Sequence, residues 1–142
     1  MTGLPATSLD DADAEGDLAA AKRVVELEIA GLSALVESMG DNVVKAIDII
    51  SRVKGRVVVS GMGKSGHIAR KIAATLASTG TPAIFVHPAE ASHGDLGMIT
   101  PEDAVFALSN SGETTELADL VDYCKRFEIP LISITGRQES SL

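Results

Sequence analysis

Hydrophobic residues follow a helical spacing in the first third of the chain and then change to short continuous runs. The first pattern predicts one helix over 18–39, which Gly40 ends. Asp41 can then cap a second helix, which Gly55 ends. The sequence therefore predicts two N-terminal helices before the first strand.

Beyond Gly55, apolar runs alternate with helical patterns, and a loop with a short helix follows the second run. The predicted strands are 56–60, 83–87, 104–108 and 131–134, and the predicted helices are 66–79 and 115–126. The strands are apolar throughout, which indicates that helices cover both faces of the sheet. The pattern predicts an α/β domain with an open parallel sheet and right-handed crossovers.

Both ends of the chain depart from this pattern. Residues 1–15 are small, polar and acidic, which predicts a disordered tail before a domain over 16–142. The fourth predicted strand has no helix after it, so we expect a domain that is incomplete, with further elements beyond Leu142.

Composition narrows the range of ligands. Twenty acidic and twelve basic residues give a net charge of −8, and only 3% of the residues are aromatic. This argues against nucleic acid, which needs basic surface or aromatic stacking platforms. The sequence has neither an apolar run long enough for a membrane span nor a basic and apolar leader, which predicts a cytoplasmic protein. Cys124, the single cysteine, lies on an apolar helix face and is predicted to fill the core.

A glycine-rich turn follows the first predicted strand and carries Lys64. The spacing of Gly61, Gly63 and Gly66 fits the G-x-G-x-x-G dinucleotide fingerprint in its strand–turn–helix context. However, His87 stands where that fingerprint needs an acid for the ribose, and Val58 stands where a P-loop needs its first glycine. The alternatives are a nucleotide loop, a turn without a ligand, and a turn that presents Lys64 to another anion.

Two further loops follow predicted strands and carry polar residues. The run 109–116 offers several hydroxyls and backbone N–H groups where a helix begins, which suits a phosphate. A plain helix cap by Ser111 or Thr114 is the alternative. The run 87–95 holds His87 and His93, which could contact a substrate or a metal, although zinc needs three or four ligands.

Together these loops resemble those of the sugar isomerase (SIS) domain family, and within it the arabinose 5-phosphate isomerases. The Ser-x-Ser-Gly-x-Thr run at 109–114 resembles the family's phosphate loop. The other resembling stretches are 61–67, 78–82, 93–98 and 134–137. The resemblance runs from about residue 15 to the end, and it implies a flavodoxin-like three-layer α/β/α sandwich preceded by two helices.

The resemblance also implies an activity, the interconversion of D-ribulose 5-phosphate and D-arabinose 5-phosphate through an enediolate, leading toward the Kdo sugar of lipopolysaccharide. It implies catalytic roles for Lys64 and Glu116. The implied substrate contacts are Gly63, Ser65, Gly80, Thr81, His87, His93, Ser109, Asn110, Ser111, Gly112, Glu113 and Thr114. It implies no required cofactor, an inhibitory zinc ion at His87, and a homotetramer in the full-length family.

Several alternatives stay open at this point. Aldose–ketose isomerisation needs a base and positive charge near the developing oxyanion, and either Glu116 or Glu113 could be that base. Family members continue into further elements that carry another catalytic carboxylate and a histidine, so this chain by itself could bind a phosphosugar without converting it. A non-catalytic phosphosugar-binding regulatory module is the second hypothesis, and a dinucleotide-binding domain is the third.

Overall fold

A computed structural model describes residues 11–142, which divide into two compact units between Val43 and Val44. The helices are α1 Asp11–Ser38, α2 Asp41–Arg52, α3 Gly63–Ser78, α4 Pro88–Ser92 and α5 Ala118–Phe127. The strands are β1 Val57–Gly61, β2 Ala83–Phe85, β3 Ala104–Ser109 and β4 Leu131–Thr135. No helix among residues 11–142 has both the length and the hydrophobicity to cross a membrane.

Helix α1 begins at Asp11, earlier than the helix predicted over 18–39. Part of the predicted disordered tail, residues 11–15, is therefore helical, while residues 1–10 of that tail lie outside the described part of the chain. The earlier start has a physical reason, because alternating acidic residues and alanines combine good helix propensity with negative charge that favours a helix N-terminus.

The four strands form one parallel sheet in the order β2-β1-β3-β4. Strand β1 pairs on both sides, with Val59 in register with Phe85 on β2 and with Phe106 on β3. This confirms the predicted open parallel sheet and gives the first four strands of the flavodoxin-like order. Strand β2 ends two residues earlier than predicted because Pro88 begins α4 directly after His87.

Each face of the sheet has its own apolar core, because successive side chains of a strand point to opposite faces. One core centres on Val57 and Val59 and packs against α3, and the other centres on Val58 and Val105 and packs against α5. Helices thus cover both faces, and the predicted three-layer α/β/α sandwich is confirmed for residues 44–142. Cys124 is buried in the α5 core, as predicted, and burial raises the pKa of its thiol to about 11.

The amino ends of β1 and β3 are tied together by one buried carboxylate. Asp103 is 2% exposed and accepts hydrogen bonds from the backbone N–H of Arg56 at 2.6 Å and of Thr100 at 2.8 Å. The Thr100 hydroxyl donates a third bond at 3.0 Å. Burial opposes ionisation of Asp103, but these bonds and the Arg56 guanidinium outweigh it and hold the pKa of the carboxyl below its usual value.

Candidate active site

The carboxyl ends of β1 and β3 bring two of the predicted loops together. Gly61, the last residue of β1, is in register with Leu108, the penultimate residue of β3. The chain leaves β1 toward β2 on one side, while β3 lies on the other, so these two strand ends flank a topological switch point. Ligands of open α/β sheets bind at such a point.

Close packing explains the glycines of the β1–α3 turn. A Cβ atom at Gly66 would lie 2.6 Å from the Gly61 carbonyl oxygen, and one at Gly61 would lie 3.0 Å from the Ser65 carbonyl oxygen. Gly63 has a φ of +55°, which lets the chain enter α3 three residues earlier than predicted. The fingerprint spacing therefore follows from the packing of this turn, which leaves Lys64 exposed in the first turn of α3.

A pocket of about 430 Å³ lies between the two strand ends. Its lining residues are Lys64, Ser65, Ile68, Leu108, Ser109, Asn110, Ile134, Thr135 and Gly136. Four of the predicted site residues, from both loops, thus face one cavity together with the loop after β4. Ile68 and Thr135 were not among the predicted site residues, although Thr135 lies in the stretch 134–137, which resembles that of the family.

The segment Ser109–Thr114, called the hydroxyl loop below, folds around the Ser109 side chain. The Ser109 and Thr114 hydroxyls lie 2.7 Å apart in a hydrogen bond, and the Gly112 N–H donates to the Ser109 Oγ atom at 3.0 Å. The Glu113 N–H donates to the Ser111 hydroxyl at 3.2 Å. Thr114 immediately precedes a 3-10 turn, Thr115–Leu117, but makes no side-chain capping bond to it, so a plain cap does not explain this loop.

The two candidate bases have different surroundings. Glu113 accepts hydrogen bonds from the Ser141 hydroxyl at 2.6 Å and from the Ser141 N–H at 2.8 Å. The hydroxyl bond, then the N–H bond and the positive charge of Arg137 lower the pKa of the Glu113 carboxyl. Glu116 is exposed and accepts one bond, from the Thr115 hydroxyl at 3.0 Å. Of the two, Glu113 is the one tied to another segment of the chain.

The two histidines flank the short helix α4. His87 precedes α4 at the carboxyl end of β2 and is half-buried, and its Nδ1 atom is buried without a hydrogen-bond partner among the described residues. His93 follows α4 and is exposed. Within residues 11–142, no group of three or more His, Cys, Asp or Glu side chains is placed to hold a metal ion. A zinc ion at His87 would need ligands from elsewhere.

Two predicted substrate contacts lie apart from this site. Gly80 and Thr81 follow α3 and precede β2, and the Pro82 carbonyl accepts a hydrogen bond from the Val57 N–H at 2.8 Å. Val57 begins β1, so these residues lie at the amino edge of the sheet, opposite the pocket. Within one chain, the structure does not bring Gly80 and Thr81 to the hydroxyl loop.

Comparison with known proteins gives relatives for most of the chain. Arabinose 5-phosphate isomerase KdsD of Pseudomonas aeruginosa is 59% identical over 122 residues, which are 86% of this chain and 37% of that protein. KdsD of Escherichia coli K12 is 55% identical over 123 residues, 87% of this chain and 38% of that protein. The chain thus spans a little over a third of the length of these curated relatives.

Two solved structures superpose on this chain and share its fold. An Escherichia coli CFT073 protein in complex with A5P superposes with a TM-score of 0.84 at 40% identity, over 94% of this chain and 70% of that one. The sugar isomerase domain of an RpiR transcription factor from Sphaerobacter thermophilus shares the fold, with a TM-score of 0.73 at 20% identity over 83% of this chain and 66% of that one.

The family assignment comes from the same part of the chain that holds the pocket. The sequence pattern of the SIS domain matches residues 49–142, from α2 through β4. This range contains the parallel sheet, the glycine turn and the hydroxyl loop. The chain belongs to the SIS domain family.

Proposed function

We propose that this chain is the SIS portion of an aldose–ketose isomerase that interconverts D-ribulose 5-phosphate and D-arabinose 5-phosphate. The observation that carries the proposal is that Lys64 lines one pocket at the switch point of the sheet together with Ser109 and Asn110, the first two residues of the hydroxyl loop. The identity to two KdsD proteins and the likeness to a structure that holds A5P support this substrate.

The hydroxyl loop is suited to the phosphate end of the substrate. The Ser109 hydroxyl and the Asn110 amide line the pocket, and both groups can donate hydrogen bonds to an anion. Lys64 lines the same pocket and adds the positive charge that the loop itself lacks. The strongly acidic chain therefore has a local site for an anion.

The reaction requires one carbon-bound proton to move between neighbouring carbons. A base removes the proton from C1 of the ketose and an enediolate forms; the proton then returns at C2, while the hydroxyl proton moves from O1 to O2, which leaves the carbonyl at C1 of the aldose. Glu116 is favoured over Glu113 as this base, because Ser141 already occupies both carboxylate oxygens of Glu113. The Lys64 ammonium would stabilise the negative oxygen of the enediolate or bind the phosphate.

Substrate and product are isomers, so the reaction consumes no oxidant or reductant, and we propose that it needs no redox cofactor. Zinc binding at His87, with an inhibitory effect, stays a prediction. A cytoplasmic location and a role on the route to Kdo and lipopolysaccharide are also proposals, which follow from the proposed substrate.

We further propose that the protein works as a homo-oligomer. Helix α1 exposes large apolar side chains along one side, including Val25, Ile29, Leu32 and Val36. Contiguous apolar patches on a protein surface are usually covered by a partner. A tetramer would be consistent with the full-length family.

The test is a turnover assay on the protein in the longest form that its gene encodes, beside the 142 residues alone. Ribulose 5-phosphate is added, and arabinose 5-phosphate is followed by NMR. We expect turnover by the longer form. If that form binds the sugar phosphate in a thermal-shift assay but gives no product, the regulatory alternative replaces the isomerase. If NADH but no sugar phosphate raises the melting temperature, a dinucleotide domain replaces both.

A further inference from the structure

Phe85, the last residue of β2, connects two loops of the candidate site. Its ring packs with the apolar core between the sheet and α3. The Arg70 guanidinium lies over the ring, 3.9 Å from its centroid. A Cβ atom built at Gly66 would lie 3.9 Å from the Phe85 Cζ atom, so the ring tip faces the first turn of α3. The ring is therefore held from the side that carries Lys64.

On its other side the Phe85 ring meets His87. The two ring centroids are 6.3 Å apart and the rings are inclined by 68°, an edge-to-face arrangement. The backbone between them is also fixed, because the Ser60 hydroxyl donates to the Val86 carbonyl at 2.8 Å and the Val86 N–H donates to Val59 at 3.0 Å. His87 thus has a fixed backbone and an aromatic neighbour on its ring.

We propose that Phe85 is a positioning residue that, held between Arg70 and the start of α3, sets the orientation of the His87 ring so that Nε2 faces the substrate. This proposal rests on the proposed function, because it takes the substrate to be a sugar phosphate. His87 lies beside the glycine turn at the carboxyl edge of the sheet, because Val86 is hydrogen-bonded to β1. Strand β1 lies between β2, which precedes His87, and β3, which precedes the hydroxyl loop. His87 is therefore two strand spacings, or about 10 Å, from that loop.

The surroundings of the His87 ring also decide which nitrogen carries the proton. The Nδ1 atom is buried with no acceptor among the described residues, and a buried N–H without an acceptor costs more than one that reaches solvent or a ligand. With the proton on Nε2, Nδ1 is left as an unpaired acceptor rather than as an unpaired N–H, which is the rarer buried state, so we expect the neutral ring to carry its proton on Nε2. In this tautomer His87 donates a hydrogen bond to a sugar oxygen.

The first experiment reads the His87 ring directly and needs no substrate. Long-range 1H–15N NMR spectra distinguish the two tautomers, and the His87→Gln variant assigns the His87 signals among the three histidines. We expect the Nε2–H form in the parent and a mixture of forms in Phe85→Leu. Phe106→Leu is the matched control, because Phe106 packs with the same core but lies on β3. A parent ring protonated on Nδ1, or an unchanged spectrum in Phe85→Leu, overturns the proposal.

The second experiment is a double-mutant cycle on turnover by the longest form of the protein. We expect Phe85→Leu to lower kcat/KM about tenfold, the size of one hydrogen bond to the substrate, and to have no further effect in a His87→Ala background. Phe106→Leu should act equally in both backgrounds. A Phe85→Leu loss that persists without His87 shows a merely structural role.

A surface variant keeps the test valid if Phe85→Leu folds poorly. Arg70 is exposed, so Arg70→Gln removes the cover of the ring without opening the core. It should shift the His87 spectrum in the same direction by a smaller amount, and an unchanged spectrum counts against the proposal. If the parent shows no turnover, the proposed function fails while the NMR result stands, so the two failures are distinguishable.

Discussion

At the scale of single residues, hydrogen bonding separates two carboxylates that are three positions apart in the sequence. Glu113 accepts two bonds from Ser141, which lower the pKa of its carboxyl and make it a weaker base, whereas Glu116 is free of such a tie. Glu113 therefore fastens the hydroxyl loop to the segment after β4. Glu116 keeps the freedom that a catalytic base needs.

The matched pair Glu116→Gln and Glu113→Gln tests this division. We expect Glu116→Gln to lower kcat about a hundredfold or more, the usual contribution of a general base. Glu113→Gln keeps one acceptor for Ser141 and should keep kcat within about tenfold while raising KM, because the lost bond loosens the loop. The measurement is the steady-state formation of arabinose 5-phosphate. A larger kcat loss in Glu113→Gln would make Glu113 the base.

Asp103 acts on stability rather than on the site. Its carboxyl has a pKa below the unfolded value, so it contributes stability above that value, and the contribution disappears as pH falls through the folded pKa. Asp103→Asn leaves buried N–H donors poorly paired and should lower the free energy of unfolding by about 1–3 kcal/mol at pH 7.

The loss of stability in Asp103→Asn should depend on pH. In urea unfolding at several pH values, the difference between the parent and Asp103→Asn should start to shrink as pH falls below about 4, because the carboxyl of the unfolded chain then binds a proton, and should keep shrinking until the pH passes the lower pKa of the folded carboxyl. Glu102→Gln is the control, because Glu102 is exposed and next to Asp103. A difference that stays constant down to pH 2 would mean that the charge of Asp103 contributes nothing.

Residue types predicted much of the candidate site but not the contacts that complete it. Lys64 and Ser109 were predicted as site residues in two separate loops that follow strands, and the structure puts both on one pocket. The bond between Glu113 and Ser141 joins positions 28 apart in loops, where no periodicity exists. The edge-to-face contact of Phe85 with His87 was also not predicted. The pattern of a strand indicates on which face of the sheet a side chain lies, but it does not indicate which side chain it contacts.

At the scale of elements, the strands were predicted closely and the helix starts were not. All four apolar runs are strands within two residues. Strand β1 is buried along its length and β3 nearly so, whereas β2 is partly buried and β4 is exposed at Ser133 and Ile134. Helix α3 starts earlier than predicted because Gly63 takes a positive φ. A glycine in the sequence allows a positive φ, but it does not show that the chain adopts one. The helix predicted over 115–126 divides into the 3-10 turn Thr115–Leu117 and α5.

The approach of α3 to β1 depends on Gly66. A methyl group there would meet the Gly61 carbonyl oxygen at 2.6 Å, so Gly66→Ala must push the first turn of α3 away from the strand. We expect a loss of about 1–3 kcal/mol in urea unfolding, typical of overpacking. Gly97→Ala is the matched control, since nothing lies within 4 Å of the added Cβ atom. Equal stability of the two variants would contradict the close-packing explanation of the glycine spacing.

At the scale of the whole molecule, the sheet explains why an acidic chain can hold an anion. Both faces of the sheet are closed by apolar cores, so ligand chemistry is confined to the strand ends. Asp103 lies at the amino edge and Lys64 at the carboxyl edge, which keeps the buried negative charge away from the pocket. The net charge of −8 therefore does not describe the local charge of the site.

The apolar surface of α1 leads to a prediction about assembly. Five exposed apolar residues of α1, with Met39 directly after it, recur three, four or seven positions apart and form one stripe: Leu18, Val25, Ile29, Leu32, Val36 and Met39. Val24, Leu27 and Leu35 are also exposed, but they lie on other sides of the helix. Leu32 is 63% exposed, and a stripe of this spacing is the pattern by which helices associate. We expect the parent to form an oligomer at micromolar concentration in light scattering.

A charge within the stripe should break this association. Leu32→Glu would place an unpaired carboxylate in the apolar contact, so its molar mass should fall toward that of the monomer. Leu27→Glu is the matched control, because Leu27 is 65% exposed but lies nine positions from Leu18, on the opposite side of the helix at 100° per residue. It should keep the mass of the parent. Loss of mass in both variants would point to a general effect of charge on α1, and a monomeric parent would refute association through this stripe.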